Sequence, residues 1–201
     1  MANASDDLHG NAPDSAPVAL LIIDMINDLE FLEGPDFLEP ALDAADCIAD
    51  LKRRAKAAGI PVIYANDNFG RWRSDFNEVL DHCLNDGVRG QPLAERLRPE
   101  PDDYSVLKPK NSAFYATTLD TLLTYLNAKT LILTGISADA CVLFTANDAY
   151  VRDYKLCIPA DCVVAASPDY KQDALSYMKR VLKVDTTPSP DLDLAQLKAG
   201  N

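Results

Sequence analysis

Basic residues are what this chain has too few of: 19 Lys and Arg stand against 31 Asp and Glu, a formal charge of -12. A surface of that sign gains nothing from a polyanion, which argues against nucleic acid and anionic membrane and leaves a small molecule as the expected partner. Histidine is nearly missing. His82, in LDHCLND, has only His9 of the polar N-terminal segment to join it, so it reads as a surface or helix-packing residue rather than a metal ligand. Long apolar runs are missing too, since Val18 to Ile23 is far too short for a membrane span or a signal core. No C-x-x-C occurs among Cys47, Cys83, Cys141, Cys157 and Cys162. Five cysteines without close regular spacing read as free thiols in a reducing compartment, the cytoplasm by default, with Cys157 and Cys162 as buried thiols. No G-x-G-x-x-G follows the first apolar run, where IDMIND stands instead. That removes the fingerprint of a dinucleotide-binding oxidoreductase, and no cofactor is implied.

What is present suits one globular domain: 201 residues, 48% of them apolar, supply a substantial core. Strand-like and helix-like segments alternate. Strands are expected at VALLIID ending in Asp24, at 61–66, 104–108, 130–134 and 155–158, and as a short last strand at 182–185. Helices are expected at about 40–58, within 76–97 as helix, turn and short helix, and at 119–127, 139–153 and 168–181. This order predicts an α/β fold, a doubly wound parallel sheet with helices on both faces. Unbroken apolar runs such as LLII and LILTGI fit strands buried on both sides. Residues 1–17 read as a flexible segment, 18–185 as the domain, and 186–201 as a tail in which LDLAQL could fold back.

Three chemistry-bearing residues fall where apolar strands give way to polar turns, the usual place for sites in parallel sheets. Asp24 ends the first strand, Lys108 the third, and Cys141 follows TLILTGISADA. A cysteine in the first turn of a helix meets unpaired backbone N-H groups and the helix dipole, both of which favour the thiolate. The turn before it, 135–139, offers N-H groups to a developing oxyanion. From position alone, Cys141 fits a nucleophile or a small core residue, Asp24 a base or a hydrogen-bonded structural carboxylate, and Lys108 a site cation or a solvated lysine.

The segments ALLIIDMINDLEF, VLKPKNSAFYATTLDTLL and TLILTGISADACVLFTANDAYVRDYKLCIPADCV resemble the signature regions of the isochorismatase-like cysteine hydrolase superfamily, over about 18–184. The resemblance implies a three-layer α/β sandwich around a six-stranded, mainly parallel sheet, found as homodimers or homotetramers. It also implies a catalytic Asp24, Lys108 and Cys141, a cis peptide joining Ile136 to Ser137, and oxyanion donors from the N-H groups of Ser137 and Cys141. Ser137 and Ala138 depart from the family's more usual side chains there, which backbone donors tolerate.

Nicotinamidases of that family carry an aspartate with several histidines after the second strand, whereas this chain has DNFGRWRSDF. A metal site of that type is therefore not expected. Members acting on isochorismate cleave a vinyl ether without a cysteine nucleophile, so the presence of Cys141 favours a small amide or carbamoyl substrate. Phe69, Arg71, Trp72 and Arg73 are candidates for substrate contact, because an arginine can hold a carboxylate and an aromatic ring can cover an apolar face. The same arginines could instead pair with surface carboxylates. Phe31, Phe114, Asn27, Asp28 and Tyr115 could line the pocket or simply pack. A catalytically idle interaction module with the same fold remains the rival from outside enzymology.

Overall fold

The computed structural model describes residues 14–70 and 74–200, so most of the N-terminal segment expected to be loose lies outside the described residues. The chain is already anchored at Ala16, which is buried and donates its N-H to the Leu126 carbonyl at 2.9 Å.

The elements run β1 (Val18–Ile23), α1 (Gly34–Ala57), β2 (Val62–Asp67), α2 (Phe76–Asn85), α3 (Gln91–Arg96), β3 (Tyr104–Lys108) and α4 (Leu119–Tyr125). They continue with β4 (Thr130–Ile136), α5 (Cys141–Tyr150), β5 (Lys155–Cys157), β6 (Val163–Val164), α6 (Pro168–Val181) and α7 (Leu194–Ala199). The strands form one six-stranded sheet in the order β3-β2-β1-β4-β5, with β6 also on β4. Every pairing between strands is parallel. The chain starts at the centre, winds outward through β2 and β3, then returns to the other side of β1 as β4. That reversal opens the crevice where parallel sheets bind ligands.

Both faces of each central strand are apolar, which is why the two-residue alternation disappears from the sequence. Leu20, Ile22 and Tyr64 join the core under α1, while Ala19, Leu21, Ile23, Ile63 and Ala65 join the core under α4, α5 and α6. α1 presents Phe37, Ala41, Ala44, Ala45, Ile48, Leu51 and Ala55 inward, at three- and four-residue spacing. It begins well before the expected Pro40. Pro35 suits the first turn, and Pro40 sits exposed, so the carbonyl it cannot bond faces the solvent side.

One strand was misplaced by the sequence reading. No strand forms over 182–185: Lys183 takes a left-handed φ of 58°, and the segment meets β5 only at a single Cys157–Asp185 bridge. The sixth strand is Val163–Val164, aligned with Gly135 and Ile136 of β4. Two residues are too few for any periodicity to announce them. The tail does fold back, with Leu192 and Leu194 buried and Arg54 donating to the carbonyls of Ser189 and Leu192 at 2.6 and 2.8 Å. No described helix is long and apolar enough to cross a membrane.

Gly135 is required where β4 passes β1. Its φ is +113°, and a Cβ there would stand 2.0 Å from the Ile23 carbonyl oxygen, a backbone atom. Gly135→Ala is expected to lower stability by at least about 3 kcal/mol, since strained φ and overpacking add. Urea denaturation reads this directly, and a loss under about 1 kcal/mol would show that the two strands can separate at that point.

Candidate active site

Asp24 follows β1 directly. Its left-handed φ of 52° turns the chain out of the strand, and the side chain is almost fully buried. The backbone N-H of Asp67, last residue of β2, donates to Asp24 Oδ1 at 2.7 Å. Lys108, last residue of β3, stands beside Asp67 in the parallel register and reaches inward with no solvent exposure. Its Nζ lies 2.8 Å from Asp24 Oδ2, 3.5 Å from Cys141 Sγ and 3.3 Å from the Lys110 carbonyl oxygen. Two strand ends and the first residue of α5 thus bring a carboxylate, an ammonium and a thiol together.

Burial raises the Asp24 pKa above the ordinary carboxylate value, with Lys108 opposing it. Burial likewise works against the Lys108 ammonium, but Asp24 and the Cys141 sulfur hold its pKa above the ordinary lysine value. Burial, then Asp24, push Cys141 up to about 12 despite the Lys108 charge. This corrects the expectation drawn from the helix start. A helix N-terminus favours the thiolate only where the sulfur stays solvated, and here desolvation and a neighbouring carboxylate outweigh it. The thiol form is thus favoured, with the Asp24 carboxylate beside it.

Cys141 opens α5 after the loop 137–140. The Ile136–Ser137 peptide bond is cis. The loop uses its Ala138 N-H on the Val164 carbonyl at 2.7 Å and its Ala140 N-H on the Ser137 carbonyl at 3.1 Å. Among the described residues, the N-H groups of Ser137 and Cys141 donate to no protein acceptor, so both remain available to an oxyanion. β6, the strand missing from the sequence reading, is what holds this loop in place.

The candidate substrate contacts divide. Phe31 is 41% exposed, with its ring edge against Phe37. Phe69, in a left-handed turn, donates its N-H to Asp67 Oδ1 at 2.6 Å and packs on the α1-side core. Phe114 packs rather than lines: it is buried against Tyr154, with the Arg152 guanidinium 4.7 Å from its ring centre. Arg71, Trp72 and Arg73 lie outside the described residues. Asn27 caps its own turn, its Oδ1 accepting from the Leu29 N-H at 2.8 Å, and Tyr115 is exposed. Asp28 meets His82, whose Nδ1 is 2.7 Å from Asp86 Oδ2 and whose Nε2 is 3.3 Å from Asp28 Oδ2. His82 therefore braces α2 against the loop after β1. Cys83, Cys157 and Cys162 are buried free thiols.

Asp67 carries no signal of a role by sequence alone except its place at a strand end. It was grouped with the loop after the second strand, yet it ends β2 with its Oδ2 at 3.8 Å from Lys108 Nζ and its side chain 39% exposed. A carboxylate closing an apolar strand, as at Asp24, was the signal that could have found it.

The isochorismatase domain model matches residues 18–189. An uncharacterized isochorismatase family protein, YaaI of Bacillus subtilis, is 41% identical over 172 residues, spanning 86% of this chain and 94% of its own. The ureidoacrylate amidohydrolase RutB of Pantoea ananatis is 30% identical, over 79% of this chain and 74% of its own. The crystal structure of N-carbamoylsarcosine amidase from Thermoplasma acidophilum superimposes with a TM-score of 0.68 at 28% identity, covering 88% of this chain and 98% of that one. By its matched domain, its relatives and its three-layer parallel fold, the chain belongs to the isochorismatase family of hydrolases.

Proposed function

We propose that the protein is a cysteine amidohydrolase that cleaves the C-N bond of a small amide or carbamoyl compound. The observation that carries this reading is the Lys108 ammonium touching both Asp24 and the Cys141 sulfur in one buried cluster. Relatives whose names specify a ureidoacrylate amidohydrolase and an N-carbamoylsarcosine amidase support the bond type.

Asp24 takes the thiol proton as Cys141 Sγ attacks the carbonyl carbon, forming the S-C bond and moving an electron pair onto oxygen. The Ser137 and Cys141 N-H groups would receive that charge. Collapse breaks the C-N bond, and the proton on Asp24 passes to the departing nitrogen. A thioester remains, or a thiocarbamate from a carbamoyl substrate. Water then gives one proton to Asp24 and its hydroxide to the acyl carbon. The S-C bond breaks, and the proton returns to sulfur. Lys108 keeps Asp24 ionised at the start and offsets the charge moving between oxygen, sulfur and carboxylate. A thiol near 12 suits this sequence, because transfer to Asp24 becomes favourable only as attack proceeds.

The test is ammonia release from a panel of primary amides, carbamoyl compounds and ureido acids after chelation, with acid-quenched samples analysed for mass added at Cys141. Ammonia accompanied by an acyl adduct on that cysteine is expected. The rate should fall on the acid side at a pH above the ordinary carboxylate range, because protonating the raised Asp24 removes the base. Turnover with no adduct at any quench time, and no acid limb, would overturn the covalent mechanism.

A further inference from the structure

Asp67 stands beside the catalytic cluster without belonging to it. Its backbone serves Asp24, but its carboxylate is differently placed: Oδ1 accepts from the Phe69 N-H, while Oδ2 lies 3.8 Å from Lys108 Nζ. Asp24 and Lys108 side chains are 6% and 0% exposed, whereas that of Asp67 is 39% exposed. Of the carboxylates on Lys108, that of Asp67 is therefore the one that solvent, and a ligand, can reach.

Two distances bound its reach. Lys108 Nζ is 3.8 Å from Asp67 Oδ2 and 3.5 Å from Cys141 Sγ, so that oxygen and the sulfur are at most their sum, 7.3 Å, apart. An attack distance of about 3.3 Å, a C-N bond of about 1.3 Å and an N-H···O bond of about 2.9 Å, bent at the attacked carbon and at the nitrogen, span about 6 Å, inside that limit. An amide whose carbon meets the sulfur can thus place its nitrogen within hydrogen-bond distance of Asp67. Nothing smaller than a carbonyl with one attached N-H group is needed to fill the gap.

We infer that Asp67 accepts an N-H of the scissile nitrogen, and so restricts the enzyme to amides and carbamoyl compounds that carry at least one hydrogen on the departing nitrogen. Esters, enol ethers and tertiary amides have no donor for it and would leave a carboxylate facing an acceptor or a methyl group. Asp67 gains and loses no proton in the reaction. It holds the N-H so that the nitrogen lone pair stays free for the proton arriving from Asp24. This inference rests on the cysteine chemistry proposed above and adds the substrate class.

The test needs no physiological substrate. Iodoacetamide and N,N-dimethyl-iodoacetamide are both attacked at the iodomethyl carbon and lose iodide; they differ in the N-H groups, which lie one bond further from the sulfur than in a scissile amide and span about 7 Å once bent. Their rates of alkylating Cys141, read by peptide mass spectrometry and normalised to glutathione, give a selectivity ratio. Wild type should favour iodoacetamide by roughly tenfold, the worth of one charge-assisted hydrogen bond. Asp67→Leu keeps the bulk and removes the acceptor, so its ratio should fall close to one. Asp67→Asn keeps an acceptor oxygen without the charge and should lie between, and it carries the test alone if the leucine variant does not fold. A ratio unchanged in the variants, with Cys141 still alkylating, overturns the role of Asp67 and leaves the cysteine mechanism standing. A wild-type Cys141 that alkylates no faster than the half-buried Cys47 removes both.

Discussion

Lys108→Met is expected to lose about 3–5 kcal/mol of stability and essentially all turnover, because it leaves one member of a buried ion pair alone. Lys108 Nζ is fully enclosed and 2.8 Å from Asp24 Oδ2, and no other described cation lies within 4 Å of that carboxylate. Burial already raises the Asp24 pKa, and Lys108 is the largest influence holding it down. Without the ammonium, nothing of comparable strength opposes the burial that raises the Asp24 pKa, so the group shifts toward the protonated form, which is no base. Stability and activity then part company in the double variant. Asp24→Asn with Lys108→Met removes the stranded charge and should recover much of the stability while restoring no turnover. Urea denaturation alongside ammonia release separates the two effects. A Lys108→Met protein as stable as wild type would mean that water reaches Asp24 in solution, and one that still turns over would remove Lys108 from the mechanism.

Cys141→Ala is expected to reduce ammonia release by at least about 10³-fold while changing stability by no more than about 1–2 kcal/mol. Cys141 is a half-buried residue at the start of α5, and its sulfur meets polar groups of the cluster, Lys108 Nζ at 3.5 Å among them, so little apolar packing depends on it. Asp24→Asn should cost a similar factor, and the double variant should be no slower than either single one, since nucleophile and base act as a unit. Additive losses would indicate that Asp24 works on something other than the Cys141 proton. Equal ammonia release by wild type and Cys141→Ala would remove the cysteine altogether.

The alternation of strands and helices was legible because each segment carries its own record. Apolar runs such as LLII announce strands covered on both faces, and the Ala45, Ile48 and Leu51 stripe announces a helix lying on a sheet. What failed was short or set by contacts. Val163–Val164 forms a strand only because β4 continues through Gly135 to offer it a partner, while VLKVD, which looks more like a strand, turns away at Lys183. Side-chain roles divided in the same way. Phe114 could equally have been pocket or core by sequence, and Arg152 and Tyr154, distant in the chain, decided for core.

The site followed that pattern. The identity of Asp24, Lys108 and Cys141, and their position at or just beyond strand ends, were determined by the sequence itself, because parallel strands bring their carboxyl ends to one edge whatever joins them. Their protonation was not, since a pKa depends on burial and on charges brought from other strands. Local order favours the thiolate at a helix start, whereas in the assembled cluster burial and Asp24 push the Cys141 thiol up to about 12. Asp67 makes the same point from the other direction. Its carboxylate was always in the sequence, but only the pairing of β2 with β3 puts it 3.8 Å from Lys108, with its side chain still partly exposed.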